Sequence, residues 1–344
     1  MRVLFQGAGA IGIAGAALFT DAHEVAVISR SAGSSGRMAY PRRVSAFDST
    51  DSGQVVVGHG SWSVTRVAAT RRVTIAGWGD AAADGRWDFI VLTTRPGDLD
   101  AEVVSAIRDI SPAFIATTSQ VEGDLERAQA VFPGTQAVIF GPAFLSERLD
   151  PCPPVGVVRT EGNRLEEADR GMRTAGSRDG ELGRKVEPGH EVRFWAPAGA
   201  PRFFVAGPSA AVRALVSRLG RLALPVPMEA VLLPPTVFIP FVAELSIRDG
   251  DWAALKSHLD RPAKAASEAV RTRLGVPIPV FGTAAHVMLE AVERIVPIDV
   301  TNYAGRHFNR HVGQTRDMLA GWAESADSAH ALPELVAALD ALDG

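Results

Sequence analysis

Arg2-Val3-Leu4-Phe5-Gln6-Gly7-Ala8-Gly9-Ala10-Ile11-Gly12 is the stretch that decides how this chain folds. Residues 2–5 read as a short apolar strand, and Ala14, Gly15, Ala16, Ala17 and Leu18 read as a helix of small residues. Between them lies G-x-G-x-x-G in the setting that gives the motif its meaning, after a strand and before a helix. Gly7 is expected to make the tight turn, Gly9 to admit a pyrophosphate to the backbone, and Gly12 to let helix and strand approach. The backbone around Ala8, Ala10 and Ile11 then offers free N–H groups and the positive end of a helix dipole to that phosphate. A dinucleotide is the ligand this arrangement predicts.

The second strand narrows the cofactor. His23-Glu24-Val25-Ala26-Val27-Ile28 runs into Ser29-Arg30-Ser31. An NAD site usually carries a carboxylate there for the ribose 2′-hydroxyl. Arg30 flanked by hydroxyls, beginning with Ser29, instead suits a 2′-phosphate, so NADP is expected; the plain alternative is a solvated strand end.

Composition sets the limits. At 344 residues with 47% apolar content the chain has room for two domains and a sizeable core. A net charge of −4 argues against nucleic acid as the main partner, and a small molecule is expected instead. Lys185, Lys256 and Lys264 are the only lysines, which leaves few candidates for a catalytic amine. Cys152 is the only cysteine, so neither an internal disulfide nor a cysteine metal site can form. No signal peptide is read before the first strand. The apolar run 230–243 looks too short to span a bilayer and holds Pro234, Pro235 and Pro240. A cytoplasmic protein with no membrane partner is expected.

Apolar runs at 89–93, 113–117 and 137–140 predict buried parallel strands, with helices near 99–107 and 123–131 between them. Residues 155–159 and 202–206 read as edge strands, and 161–200 as surface loop. Helices are predicted at 253–274, 286–295, 303–311 and 316–329. The expected architecture is α/β: a doubly wound Rossmann domain over 1–228, then an all-helical domain over 229–344 for substrate binding and any homodimer contact.

With these residues in view, the chain resembles the ketopantoate reductase family. The resemblance implies a Rossmann domain, a helical C-terminal domain and reduction of 2-oxo acids with NADPH. Gly7 to Gly12 and Arg30 match its cofactor motifs. Asp88-Phe89-Ile90-Val91-Leu92-Thr93-Thr94-Arg95 looks like its fourth strand, which implies cofactor roles for Thr94 and Arg95, the latter where the family commonly has lysine. Ser119-Gln120-Val121-Glu122-Gly123 falls on its Q-N-G-x-G loop, placing Gln120 at the asparagine that touches nicotinamide and substrate. His330-Ala331-Leu332-Pro333 resembles its closing H-G-I-P.

The departures fall on the chemistry. The family's proton-donating lysine lies in a W-x-K-L-x-x-N helix; the matching Leu232-Leu233-Pro234-Pro235-Thr236-Val237 has prolines instead and, with two of them, should not form a regular helix. The substrate-binding glutamate is replaced by Thr315, read as a cap for a helix starting near Arg316, whereas Asp317 is retained. Tyr303, His307 and His311 share one helical face at i, i+4, i+8. That stripe is either a proton-donating group or a polar face at a domain boundary. Without an intervening glutamate or a third ligand, His307 and His311 do not make a zinc site. Asp317 serves either the substrate or the first turn of its helix. Glu244 is either a domain-facing acid or a helix-end residue. The reading that follows is an NADP-dependent oxidoreductase acting on a small carbonyl or imine other than ketopantoate. Its alternative is an NADP-binding homologue doing non-redox chemistry or regulation.

Overall fold

The computed structural model describes residues 1–29, 44–47, 75–149, 191–196, 200–296, 299–309, 312–326 and 328–342. The first half alternates β1 (Arg2–Gln6), α1 (Ala10–Phe19), β2 (Glu24–Ile28), β3 (Val44–Phe47), β4 (Ile75–Ala76), α2 (Trp78–Ala83), β5 (Phe89–Leu92), α3 (Ala101–Ile110), β6 (Phe114–Thr117) and α4 (Asp124–Val131). Then come β7 (Gln136–Pro142), β8 (Leu145–Leu149), β9 (Glu191–Trp195), β10 (Phe203–Ala206), α5 (Ser209–Leu219) and β11 (Ala223–Pro225). Helices follow: α6 (Met228–Ile247), α7 (Trp252–Ser257), α8 (Asp260–Leu274), α9 (Gly282–Ile295), α10 (Val300–Asn309), α11 (Val312–Glu324) and α12 (Ala331–Asp340).

Among the described residues the main sheet runs β11-β10-β7-β6-β5-β1-β2-β4. It is parallel from β7 to β4, whereas β10 lies antiparallel to β7 and β11 runs parallel to β10. Its strands are apolar on both faces because both faces are covered. Val3, Phe5, Phe89, Val91 and Phe140 point into one core with α1 and α5. Leu4, Ile90, Leu92, Ile115 and Ile139 point into the other, with α3 and α4. Phe140 and Phe203 stack at 4.0 Å across β7 and β10, with Phe19 edge-on to both.

Several expectations need correction. Residues 202–206 do not form an edge strand: β10 sits between β7 and β11. The expected loop 161–200 contains β9, which pairs with β3 and β8 in a second, three-stranded sheet lying against α1. Glu191-Val192-Arg193-Phe194-Trp195 carries the alternation of a half-buried strand, and Val192 and Phe194 are indeed buried. The predicted helix 253–274 is two helices, α7 and α8, broken at His258 and Leu259. Residues 155–159 lie outside the described ones.

The largest correction concerns α6. Despite Pro234, Pro235 and Pro240 it is a continuous helix of 20 residues. Each proline removes one i→i−4 donor, but packing against α8, α11 and α12 outweighs the loss, and Thr236 Oγ1 donates to the Leu233 carbonyl at 2.6 Å. By length and composition α6 could cross a bilayer. However, 61% of its most apolar window is buried inside the protein, so here it is a core helix. Thr315 is likewise no cap, since α11 begins at Val312 and Thr315 is buried within it.

The start of β2 carries a pH-sensitive contact. His23 Nδ1 lies 3.4 Å from the Met1 ammonium, and its Nε2 is buried without a partner among the described residues. Burial first, and the ammonium second, lower its pKa below the ordinary 6.5. The folded state therefore holds His23 neutral, and its contribution is complete above pH 6.5 and lost as pH falls through the lowered value. Thermal melts should show the wild type losing more stability than His23→Gln between about pH 7 and pH 5; equal losses would remove His23 as the cause.

Candidate functional site

The chain runs outward from β1 through β2 to β4, then crosses to β5 on the other side of β1. This reversal opens a crevice at the carboxyl ends of β1 and β5, where open α/β sheets bind ligands. The glycine turn stands there. Gly7 has φ +101°, and a Cβ on it would lie 2.3 Å from Thr93 Oγ1. A Cβ on Gly12 would lie 2.0 Å from the Gly7 carbonyl oxygen, so the turn and the first coil of α1 can close only with glycine at both places. At Gly9 a Cβ would meet nothing within 4 Å, which leaves open space beside the backbone. Gly9 is also the N-cap of α1, without a side-chain cap, and no acid occupies the first turn at Ala10, Ile11 and Gly12. An uncompensated helix N-terminus beneath open space fits a pyrophosphate.

The role expected of Gly12 is shared with another residue. Close packing of helix on strand falls to Gly15, where a Cβ would come within 2.6 Å of the Phe5 ring and 3.3 Å of Phe203. Sequence reasoning also misses Gln6. It exchanges hydrogen bonds with Thr94, its Nε2 donating to Thr94 Oγ1 at 3.1 Å and its Oε1 accepting from Thr94 N at 3.2 Å. Thr93 Oγ1 donates to the Gln6 carbonyl at 2.6 Å. These bonds tie the loop after β5 to the glycine turn. Ser29 ends β2 at the expected place, whereas Arg30 and His311 lie outside the described residues.

Arg95 joins the two halves. Its Nε donates to Asp124 Oδ2 at 3.1 Å and its Nη1 to Asp317 Oδ2, on α11, at 2.8 Å. Asp124 opens α4, is buried, and also accepts from Ser119 Oγ at 2.5 Å. Partial burial lowers the Arg95 pKa, but Asp124, then Asp317 and Asp98, outweigh it and hold the group above the ordinary arginine value. Gln120 follows Ser119, and its Nε2 lies 3.6 Å from where a Gly141 Cβ would stand; Val231 of α6 closes the same spot at 3.3 Å. Glu122 pairs with Arg273 of α8 at 3.1 Å, and Val121 packs into the helical core. The loop 118–123 is thus clasped by the helical domain.

Arg95 and Asp317 therefore come together in an ion pair, and Gln120 follows Ser119, which bonds the same Asp124 as Arg95. Tyr303 is buried on α10, whose Gly305 abuts Gly250 beyond the far end of α6. His307 follows one turn later on α10, toward α11, and its side chain lies outside the described residues. Among the described residues, no three His, Cys, Asp or Glu side chains gather closely enough to hold a metal ion.

No protein-family model and no curated protein matches the sequence. Solved structures match the fold along its whole length. The chain is similar to the ternary structure of D-mandelate dehydrogenase with NADH and anilino(oxo)acetate, at TM-score 0.59 and 13% identity over 99% of this chain and 97% of that one. It is similar to a PanE/ApbA family ketopantoate reductase from Ralstonia eutropha JMP134, at 0.57 and 13% over 100% and 98%. A 2-dehydropantoate 2-reductase from Geobacter metallireducens GS-15 gives 0.56 and 13% over 99% and 100%. The chain thus has the ketopantoate reductase fold, a Rossmann-type sheet domain followed by helices.

The two arms of Arg95 should differ sharply. Asp124→Ala strands Arg95 and Ser119 against a buried site and should cost about 3 kcal/mol, as breaking a buried ion pair does. Asp317 is half exposed, so Asp317→Ala should cost about 1 kcal/mol or less. Urea denaturation of both variants checks this; equal losses would contradict it.

Proposed function

We propose that this protein is an NADP-dependent oxidoreductase that reduces a small carbonyl substrate, 2-oxo acid-like, or an imine. The observation that carries the reading is the glycine turn at the sheet's switch point, closed at Gly7 and Gly12 and open at Gly9. The neighbours' bound NADH supports a nicotinamide dinucleotide, and the fold they share supports reductase chemistry. When bound, that cofactor supplies hydride.

This chain's residues would do the rest. The N–H groups of Ala8, Ala10, Ile11 and Gly12 would bind the pyrophosphate, with Thr94 and Arg95 along the cofactor side. Arg95 has one amino group, Nη2, beyond those given to Asp124 and Asp317. Gln120 would hold the nicotinamide and substrate in register. Asp317 would act as a positioning residue through Arg95. For the proton we propose His307, on α10 ahead of α11. Tyr303, one turn earlier on the same helix, is the second candidate donor. Ketopantoate is not the proposed substrate, since prolines stand at the family's lysine position within helix α6 and Thr315 replaces its glutamate.

NADPH oxidation followed at its absorbance against 2-oxo acids, ketones and imines tests the reading. Turnover with any of them supports it. Tight NADP binding with silence across the panel would favour non-redox chemistry or regulation instead. His307→Ala should lower turnover about 10²–10⁴-fold, the usual loss with a general acid, at little expense in stability; full activity would overturn the assignment.

The 2′-phosphate reading rests on Arg30 and Ser29. NADPH should bind more tightly than NADH, and Arg30→Ala should remove roughly 1.5–3 kcal/mol of NADPH affinity while leaving NADH nearly unchanged. Parallel titrations decide, and equal losses for both cofactors would refute it.

A further inference from the structure

The far end of α6 borders a second concavity, of about 480 Å³, walled by Glu244, Arg248, Lys256, His258, Arg261 and His286. Val231, at the cleft, and Glu244 are thirteen residues apart on one helix, so this cavity stands about 20 Å from the end of α6 that meets the sheet. It is separate from the dinucleotide crevice.

Glu244 organises it. The carboxylate is buried at 1% exposure, and both oxygens are taken. Arg248 Nε donates to Oε1 at 3.0 Å; Arg261 Nε and Nη2 donate to Oε2 at 2.8 and 2.5 Å. One negative charge thus fixes two guanidinium planes, and this trio of side chains carries one positive charge over. Both terminal amino groups of Arg248 and Nη1 of Arg261 have no acceptor among the described residues. Lys256, paired with Glu293 at 3.0 Å, and His286, 3.4 Å from Glu290, stand on the same wall, with Asp260 as the other acid. The first turn of α9, at Gly282 and Thr283, completes the lining. That helix N-terminus has no side-chain cap and no acid in its own first turn, and the Asp260 carboxylate lies beside it, with Oδ1 3.3 Å from where a Gly282 Cβ would stand.

We propose that this cavity binds a phosphoryl group. A carboxylate needs one planar fork, whereas two guanidinium edges lining one cavity, with an ammonium and a helix N-terminus on its wall, suit the several oxygens of a tetrahedral anion. The volume accommodates a small molecule carrying the group. The buried Glu244 keeps the arginines pre-oriented, so little side-chain freedom is lost on binding.

Calorimetric titration of the full chain with inorganic phosphate, at constant ionic strength in chloride, tests the site. Saturable binding is expected. Thr283→Glu puts a carboxylate at the α9 N-terminus, where it favours the helix, so this variant should fold at least as stably and bind phosphate at least about tenfold more weakly. Arg248→Gln, which leaves Glu244 paired with Arg261, should weaken binding similarly. Gly9→Asp, which blocks only the glycine turn, should leave phosphate binding intact. Absence of saturable binding, binding unaffected by Thr283→Glu, or loss confined to Gly9→Asp would overturn the proposal. So would malonate displacing phosphate at lower concentration than phosphate itself requires.

Discussion

Arg95 is held between a buried carboxylate of the sheet domain and a half-exposed carboxylate of the helical domain, and the shape of the cleft follows from that double commitment. Asp124 is buried and needs a partner, because an unpaired charge there would be strongly destabilising. Its demand fixes the guanidinium, and the fixed guanidinium then presents a second N–H edge to α11. Ser119 completes the Asp124 carboxylate and anchors the loop that carries Gln120. The loops after β5 and β6 therefore share one electrostatic centre with α4 and α11. The glycine turn lies alongside, tied to the loop after β5 by Gln6 and Thr94.

Helix α6 connects two regions of different character. Its first turns pack Val231 and Leu232 into the sheet's second core, although they lie beyond the last strand. Its last turns carry Phe241 and Leu245 into the helical core and Glu244 into a charged cavity. The three prolines withdraw donors that would have bonded to the carbonyls of Ala230, Val231 and Thr236. Helical geometry survives because Pro235 and Pro240 are themselves buried against neighbours, so packing energy accrues to the rings that weaken the backbone ladder.

The glycine turn was legible in the sequence because sterics leave so few residues able to occupy it. A Cβ at Gly7 or Gly12 collides with Thr93 or the Gly7 carbonyl, so the motif encodes its own geometry. The two-sided sheet was legible for a similar reason: strands buried on both faces read as unbroken apolar runs. The second sheet was not, since β9 is five residues long and its partners β3 and β8 are distant in sequence. Proline counting misjudged α6, because propensity is local and the burial that overrides it is not. The Arg95 clamp was out of reach too: Asp317 is 222 residues from its partner. The closing His330-Ala331-Leu332-Pro333 motif has a physical cause of the same long-range kind. Its first three backbone N–H groups all donate to the Glu268 carboxylate of α8, at 3.0, 3.1 and 2.9 Å.

The antiparallel placement of β10 has a kinetic meaning. β7 ends at Pro142, yet the strand that covers its free edge begins only at Phe203, so sixty residues must be made before the sheet can be completed on that side. Until then Phe140 lacks the ring it stacks on, and β7 presents unpaired backbone groups to its surroundings. Closing so long an interval carries an entropic toll that grows slowly with length, and non-local pairing of this kind is what retards folding. Assembly of β1, β2, β5, β6 and β7 can precede it, because each strand after β1 pairs in parallel with one already laid down. On a ribosome, the growing polypeptide would carry a nearly finished nucleotide fold with one sticky border, sealed late by β10 and β11.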